Sequence, residues 1–203
     1  MAIINQATKE LQVKIVYYGP GKGGKTTNLE QVHGNVQDVQ EKGKLVSLAT
    51  SSDRTLFFDF LPIEAMSIKG FKTKFQLYTV PGQVIYNTTR QLVLRGVDGI
   101  VFVADSQYDK MAENVESFSN LEENLKALKL NLGDIPYVLQ YNKRDLPNVA
   151  PVEYMEFLLN NRDVQVPSFP ASATRCEGVF DSLNMITRLL LNKFINEGNR
   201  KVA

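Results

Sequence analysis

The segment from Val13 to Thr26 constrains this chain more than any other. A short apolar and β-branched run, Val13 to Tyr18, stops at Gly19-Pro20-Gly21-Lys22-Gly23-Gly24-Lys25-Thr26. That is G-x-x-x-x-G-K-[ST] placed between a predicted strand and a predicted helix. Gly19, Gly21, Gly23 and Gly24 let backbone N–H groups turn inward around phosphate oxygens with no Cβ in the way. The helix that follows adds the partial positive charge of its N-terminus. Lys25 supplies a compact cation for β- and γ-phosphate oxygens, Thr26 offers a hydroxyl to Mg²⁺, and Thr27 extends the set into the helix. At average composition the pattern arises by chance in roughly one in a hundred chains of this length, and the strand–loop–helix setting lowers that figure. Lys22 is a further cation in the loop, more simply read as solvated.

The rest of the chain alternates strands and helices. A helix is predicted from Lys25 toward Val36, broken by Gly43, and strands over Leu45 to Thr50 and Thr55 to Leu61. Phe71 to Tyr78 alternates, with Phe71, Thr73, Phe75 and Leu77 on one face and Lys72, Lys74 and Gln76 on the other. Strict alternation predicts one wet face and a place near a sheet edge, with Lys69-Gly70 turning a hairpin. Gly99 to Ala104 is apolar on both faces, as a central parallel strand is. A helix with Met111, Val115, Phe118, Leu121, Leu125 and Leu128 on one side follows. Then come a strand Ile135 to Tyr141, a helix around Tyr154 to Leu159, and a strand Val166 to Ser172. A closing helix presents Val179, Leu183, Ile186, Leu190 and Phe194. The expected fold is α/β in three layers: a mostly parallel central sheet with an antiparallel edge hairpin and helices on both faces, binding its ligand at the carboxyl ends of the strands.

Length and composition narrow the class without naming a substrate. The 203 residues suit one domain spanning 1–203 with short flexible ends. A net charge of +1 provides no global field for nucleic acid or an anionic membrane. The single cysteine, Cys176, excludes an internal disulfide framework, and the single histidine, His33, leaves no His-rich metal site. No stretch reaches the ~18–20 apolar residues of a membrane span. Ala2 excludes a myristoylated glycine, and the last residues carry no cysteine to prenylate. The expected location is cytoplasmic, without a lipid anchor, any placement at a pole or inner-membrane complex coming through partners.

Two further motifs fall at predicted strand ends. Asn142-Lys143-Arg144-Asp145 is N-K-x-D, and Asp145 can accept from guanine N1–H and the 2-amino group together. Adenine would leave that carboxylate unpaired. Asn142 can reach the O6/N7 side, the Lys143 stem can cover the base face, and after Ser172 the Ala173 N–H can reach O6. Between the phosphate loop and this base loop, Thr79-Val80-Pro81-Gly82-Gln83 ends the alternating strand. Gly82 can offer a backbone N–H to a γ-phosphate and Gln83 can orient an attacking water. Upstream, Thr55 can complete a Mg²⁺ shell.

This ordered set resembles the Ras-like small GTPases from about Val13 to Phe194. More narrowly, K-I-V-Y-Y-G (14–19), R-T-L-F-F-D-F-L-P (54–62), L-Y-T-V-P-G-Q (77–83) and R-G-V-D-G-I-V-F-V-A-D (95–105) resemble the bacterial MglA group. The resemblance implies a GTP/GDP switch with Mg²⁺ that serves polarity and gliding or twitching motility. It also implies a roadblock-fold MglB-type homodimer as the GTPase-activating partner, with effectors that recognise the GTP state. It gives Arg54 the role of an arginine finger supplied by the same chain, beside Gln83 and Lys25 in catalysis. One departure from most small GTPases is Thr79, which stands where an acidic residue usually supports Mg²⁺ through water; MglA-like chains share it. Asp53 and Asp59 are candidates to replace that charge. The competing readings are a nucleotide-loaded scaffold with negligible hydrolysis, which intact Arg54 and Gln83 argue against, and a P-loop kinase, for which no arginine-rich lid is visible.

Overall fold

The computed structural model describes residues 3–5, 8–35, 41–42, 46–49, 55–68, 71–82, 86–162 and 164–200. Its strands are β1 (Ile3–Asn5), β2 (Glu10–Tyr18), β3 (Glu41–Lys42), β4 (Val46–Ala49), β5 (Thr55–Ile68), β6 (Phe71–Thr79), β7 (Gly99–Asp105), β8 (Tyr137–Asn142) and β9 (Ser168–Pro170). Its helices are α1 (Lys25–Asn35), α2 (Asn87–Leu94), α3 (Met111–Ala127), α4 (Val152–Leu159) and α5 (Val179–Arg200). The main sheet runs β3-β5-β6-β2-β7-β8-β9. The five strands β6, β2, β7, β8 and β9 are mutually parallel. β5 pairs antiparallel with β6 over residues 60–68 and 71–78, and β1 pairs antiparallel with β2. The expected Lys69-Gly70 turn lies outside the described residues.

Alternation within β2 divides the core in two. Val13, Ile15 and Tyr17 face α1 and α5, joining Leu29, Val32, Val179, Ile186 and Leu190. Val16 and Tyr18 face the other way, joining Val93 and Leu94 of α2, Phe118 and Leu121 of α3 and Met155 of α4. Every residue of β7 is buried, as a strand covered on both faces must be. Close packing explains Gly99 at its start, where a Cβ would lie 2.8 Å from Leu190 Cδ1.

Three expectations change. β6 lies inside the sheet, between β5 and β2. Its polar face is matched across the strands instead: Lys74 Nζ bonds Glu10 Oε1 at 2.7 Å and Gln76 Nε2 donates to Gln12 Oε1 at 3.1 Å. Polar alternation here reports cross-strand pairing, not an edge. The last parallel strand shortens to Ser168–Pro170. Before it, the Asn160 side chain mimics a strand neighbour, accepting from Val166 N and donating to Val166 O, both at 2.9 Å. Helix α2 has no counterpart in the sequence pattern, because its buried face is Arg90, Val93 and Leu94 while Leu92 is exposed. An arginine at a core position hides the apolar stripe that marks a helix. Among the described residues no helix is long and apolar enough to cross a membrane.

Candidate functional site

The parallel strands end together, and the sequence motifs sit on those ends. After Tyr18 the chain enters the phosphate loop at Gly19 with φ +144°, where a Cβ would overlap the Val103 carbonyl of β7. Glycine is required at that approach. Gly23 N closes the turn on Pro20 O at 3.3 Å. Lys25 is buried, and its Nζ donates to Gly19 O at 3.1 Å and to Pro20 O at 2.6 Å. The ammonium is thus held over the loop it belongs to, and Thr26 and Thr27, both half-buried, follow at the start of α1. Lys22 is exposed, in line with the solvated reading, and has φ +58°.

The base loop is tied directly to this phosphate loop. Asn142, at the end of β8, donates from Nδ2 to Gly23 O at 2.8 Å and accepts from Ala173 N at 2.8 Å. Its amide therefore joins three segments of the site. The Lys143 ammonium pairs with Asp105 Oδ2 at 2.6 Å, which anchors the far end of its stem. Asp145 is half-buried and accepts from Thr174 Oγ1 at 3.4 Å. Hydrogen bonding from Ser172, with help from the Arg175 charge and Thr174, holds its carboxyl below the usual value. Ser172 and Ala173 are both buried beside it.

The third segment packs against the first. Thr79 is fully buried at the end of β6, and Val80 N donates to Tyr17 O at 3.3 Å. Gly82 then lies so close to Gly21 that a Cβ would sit 2.6 Å from Gly21 N. The phosphate loop, the Pro81–Gly82 segment, Asn142 and Ala173 therefore converge on one end of the sheet. Thr55 is the first residue of β5. Arg54, Asp53 and Gln83 lie outside the described residues, as do the side chains of Thr55 and Asp59.

Several residues at this end carry no motif. Asp105 closes β7 and holds Lys143, and its position after six apolar residues was the available signal. Asn28 on α1 accepts from Gln140 Nε2 at 2.9 Å, and the same Nε2 reaches Ser182 Oγ of α5 at 2.8 Å. Asn28 N donates to Gly24 O at 3.0 Å, so the phosphate loop is braced from below. Arg90 donates to Pro81 O and Gly82 O, and no periodicity marks it.

A cation would find few protein ligands here. Among the described residues no group of three or more His, Cys, Asp or Glu could hold a metal ion.

A glycine-cradled phosphate loop braced against an N-K-x-D loop at the carboxyl edge of a parallel sheet defines a phosphate-loop nucleotide-binding protein. Residues 14–192 match the Ras family model, and the chain belongs to the Ras family. It is a small GTPase of that family, taking guanine nucleotide, and is closely related to MglA. Over 198 residues it is 52% identical to the mutual gliding-motility protein MglA of Myxococcus xanthus (strain DK1622), covering 98% of this chain and 100% of that protein. It is also 26% identical over 140 residues to the Ras-related protein Rab-13 of Canis lupus familiaris, covering 68% of this chain and 66% of that one. A third relative, the uncharacterized protein MJ1339 of Methanocaldococcus jannaschii, is 26% identical over 149 residues, 73% of this chain and 81% of its own.

Proposed function

We propose that this single-domain chain is a GTP/GDP switch for cell polarity and gliding or twitching motility, assisted by a roadblock-fold MglB-type homodimer. The observation that supports the reading is the convergence of the Gly21, Gly82 and Asn142 segments on one end of the sheet. The antiparallel β5–β6 pair connects the Thr55 segment to the sensor.

In this mechanism the backbone of Gly19, Gly21, Lys22, Gly23 and Gly24 wraps the phosphates and Lys25 leaves its loop carbonyls to neutralise β and γ oxygens. Thr26 and Thr55 would hold Mg²⁺, which would supply charge neutralisation at the phosphates. Asp145 reads the guanine N1–H and 2-amino group, with Lys143 along the base and Ser172 and Ala173 closing the pocket. Gln83 orients the attacking water and Arg54 stabilises transition-state charge from within the chain, a contribution of roughly 10³–10⁵ in rate. Loss of the γ-phosphate releases Thr55 and Gly82, and partners read the reordered loops. The protein works in the cytoplasm and reaches a pole or an inner-membrane complex through effectors that bind its GTP state.

Single-turnover GTP hydrolysis, with and without an MglB-type dimer, tests this. The dimer is expected to raise the rate at least about tenfold, and Arg54→Ala or Gln83→Leu to abolish most of that gain with nucleotide affinity retained. Tight GTP binding with no turnover in either condition would leave a scaffold in place of a switch. Preference for ATP would remove the guanine reading.

A further inference from the structure

The largest fully buried side chain among the described residues carries a guanidinium. Arg90 of α2 is fully buried. Its Nε donates to Pro81 O at 2.9 Å and its Nη2 to Gly82 O at 2.5 Å. Its Nη1 donates to Asn120 Oδ1 at 2.6 Å and, more weakly, to Tyr18 Oη at 3.4 Å, and its Cζ stacks 5.1 Å from the centre of the Tyr18 ring. Each of these acceptors is neutral. A buried charge is normally matched by a carboxylate, because attraction then offsets desolvation. Here the planar fork is spent on two successive backbone carbonyls, a geometry lysine cannot reproduce.

Those carbonyls belong to the sensor segment. Pro81 C=O and Gly82 N–H share one peptide plane, and the described chain has no cis peptide bonds. In a trans peptide the two groups point in opposite directions. Fixing the carbonyl on Arg90 therefore fixes the Gly82 N–H facing away from it. Glycine at 82 would otherwise leave both flanking peptides free to rotate. Its close approach to Gly21 allows no side chain to restrict them.

Arg90 is itself held by a relay of neutral groups. Tyr18 Oη donates to Asn120 Oδ1 at 2.7 Å and accepts from Asn124 Nδ2 at 3.0 Å. Asn87 Oδ1 accepts from Asn124 Nδ2 at 2.7 Å and from Asn120 Nδ2 at 3.2 Å, and Gln91 Nε2 reaches Asn124 Oδ1 at 2.9 Å. Tyr18 is the residue before the phosphate loop, Asn120 and Asn124 lie on α3, and Asn87 and Gln91 on α2. One hydrogen-bonded network thus joins the phosphate-loop strand, both helices and the sensor.

We propose that Arg90 is a positioning residue that presets the Gly82 N–H for a γ-phosphate, and that the tyrosine–asparagine relay transmits that setting to α2 and α3. The proposal rests on the switch reading and deepens it. Ordering the Pro81–Gly82 peptides before the ligand arrives removes part of the entropy loss of binding GTP, whereas GDP, lacking the γ-phosphate, gains nothing from it. Arg90 therefore acts on the ratio of the two affinities, not on affinity in general.

The test measures affinity for GDP and for a non-hydrolysable GTP analogue on the full chain, for wild type, Arg90→Lys, Asn120→Ala and Tyr18→Phe. Arg90→Lys is expected to weaken the analogue about tenfold relative to GDP, with GDP affinity kept within about twofold. Asn120→Ala and Tyr18→Phe, which keep the arginine, are expected to shift the ratio in the same direction by about fivefold. They carry the test alone if Arg90→Lys does not fold. An unchanged ratio in every folded variant, whatever happens to thermal stability, overturns the proposal and leaves Arg90 a structural residue. Wild type that binds neither nucleotide overturns the switch reading with it, a result distinct from wild type and variants discriminating alike.

Discussion

Asn142 and Gly23 stand 119 residues apart in sequence and 2.8 Å apart in space, joined by an amide-to-carbonyl hydrogen bond. The bond makes the base loop and the phosphate loop one rigid unit. Asn142→Asp places a carboxylate against the Gly23 carbonyl and removes the only donor on that side chain. Leaving that buried carbonyl unpaired costs about 1–3 kcal/mol. Affinity for GDP and for a GTP analogue is expected to fall together, by roughly 10–100-fold. Displacement of a fluorescent guanine nucleotide measures both. A selective loss of one nucleotide would contradict a strut.

The neighbouring Gly24 gives a second handle on the same joint. Its φ is +98°, and a Cβ there would collide with Asn142 Nδ2. Gly24→Ala therefore combines backbone strain with displacement of the Asn142 amide, and is expected to destabilise the fold by about 2–3 kcal/mol. Gly34, by contrast, has nothing within 4 Å of a built Cβ. Gly34→Ala, inside α1 which follows, is expected to be neutral or to stabilise by up to about 1 kcal/mol. Urea unfolding of the two variants side by side checks the contrast.

Motifs whose chemistry is fixed by spacing are legible in the sequence. The eight residues from Gly19 to Thr26 and the four from Asn142 to Asp145 each suit one ligand by their spacing, and the fold brings the two segments into contact. What sequence hid was anything satisfied by a distant partner. Nothing in the sequence shows that the Asn142 amide also bonds Gly23 on one side and Ala173 on the other. Gln76 looks solvated until Gln12 meets it across the strands. Arg90 breaks the apolar period of α2 and conceals the helix that holds it. The parallel core was readable for the opposite reason: an unbroken apolar run such as Gly99 to Ala104 has few other folded uses.

Asp145, proposed above to read the guanine base, has a carboxylate held below its usual pKa, first by hydrogen bonding from Ser172. A depressed value means that the charged form is the one favoured in the fold. Its contribution is complete above the ordinary carboxylate range and fades only as pH falls through the lowered value. Guanine affinity is therefore expected to show no titration from Asp145 between about pH 8 and about pH 5. Asp145→Asn replaces an acceptor pair with one acceptor and one donor. GDP affinity is expected to fall by at least about 10²-fold, while xanthosine diphosphate, which presents a carbonyl at position 2, improves. Competition between the two diphosphates measures the change.

Lys143 and Asp105 form a largely buried ion pair, with Nζ 2.6 Å from Oδ2 and side-chain exposures of 25% and 2%. The carboxylate is also met by Gln107 N at 3.1 Å, while Asn114 brackets the Asp105 backbone at 2.9 and 2.8 Å. Asp105 therefore cannot swing out to water when its cation is removed. Breaking a fully buried pair from one side costs about 3–5 kcal/mol, and the partial exposure of Lys143 reduces this to about 2 kcal/mol. Lys143→Met is expected to destabilise by that amount and to weaken nucleotide binding, since the stem loses its anchor. Asp105→Asn in the same chain removes the stranded charge and is expected to recover about half of the lost stability. The double-mutant cycle in urea separates these terms. Additive losses, with no recovery in the double variant, would show that the charge pair is not what holds the base loop on β7.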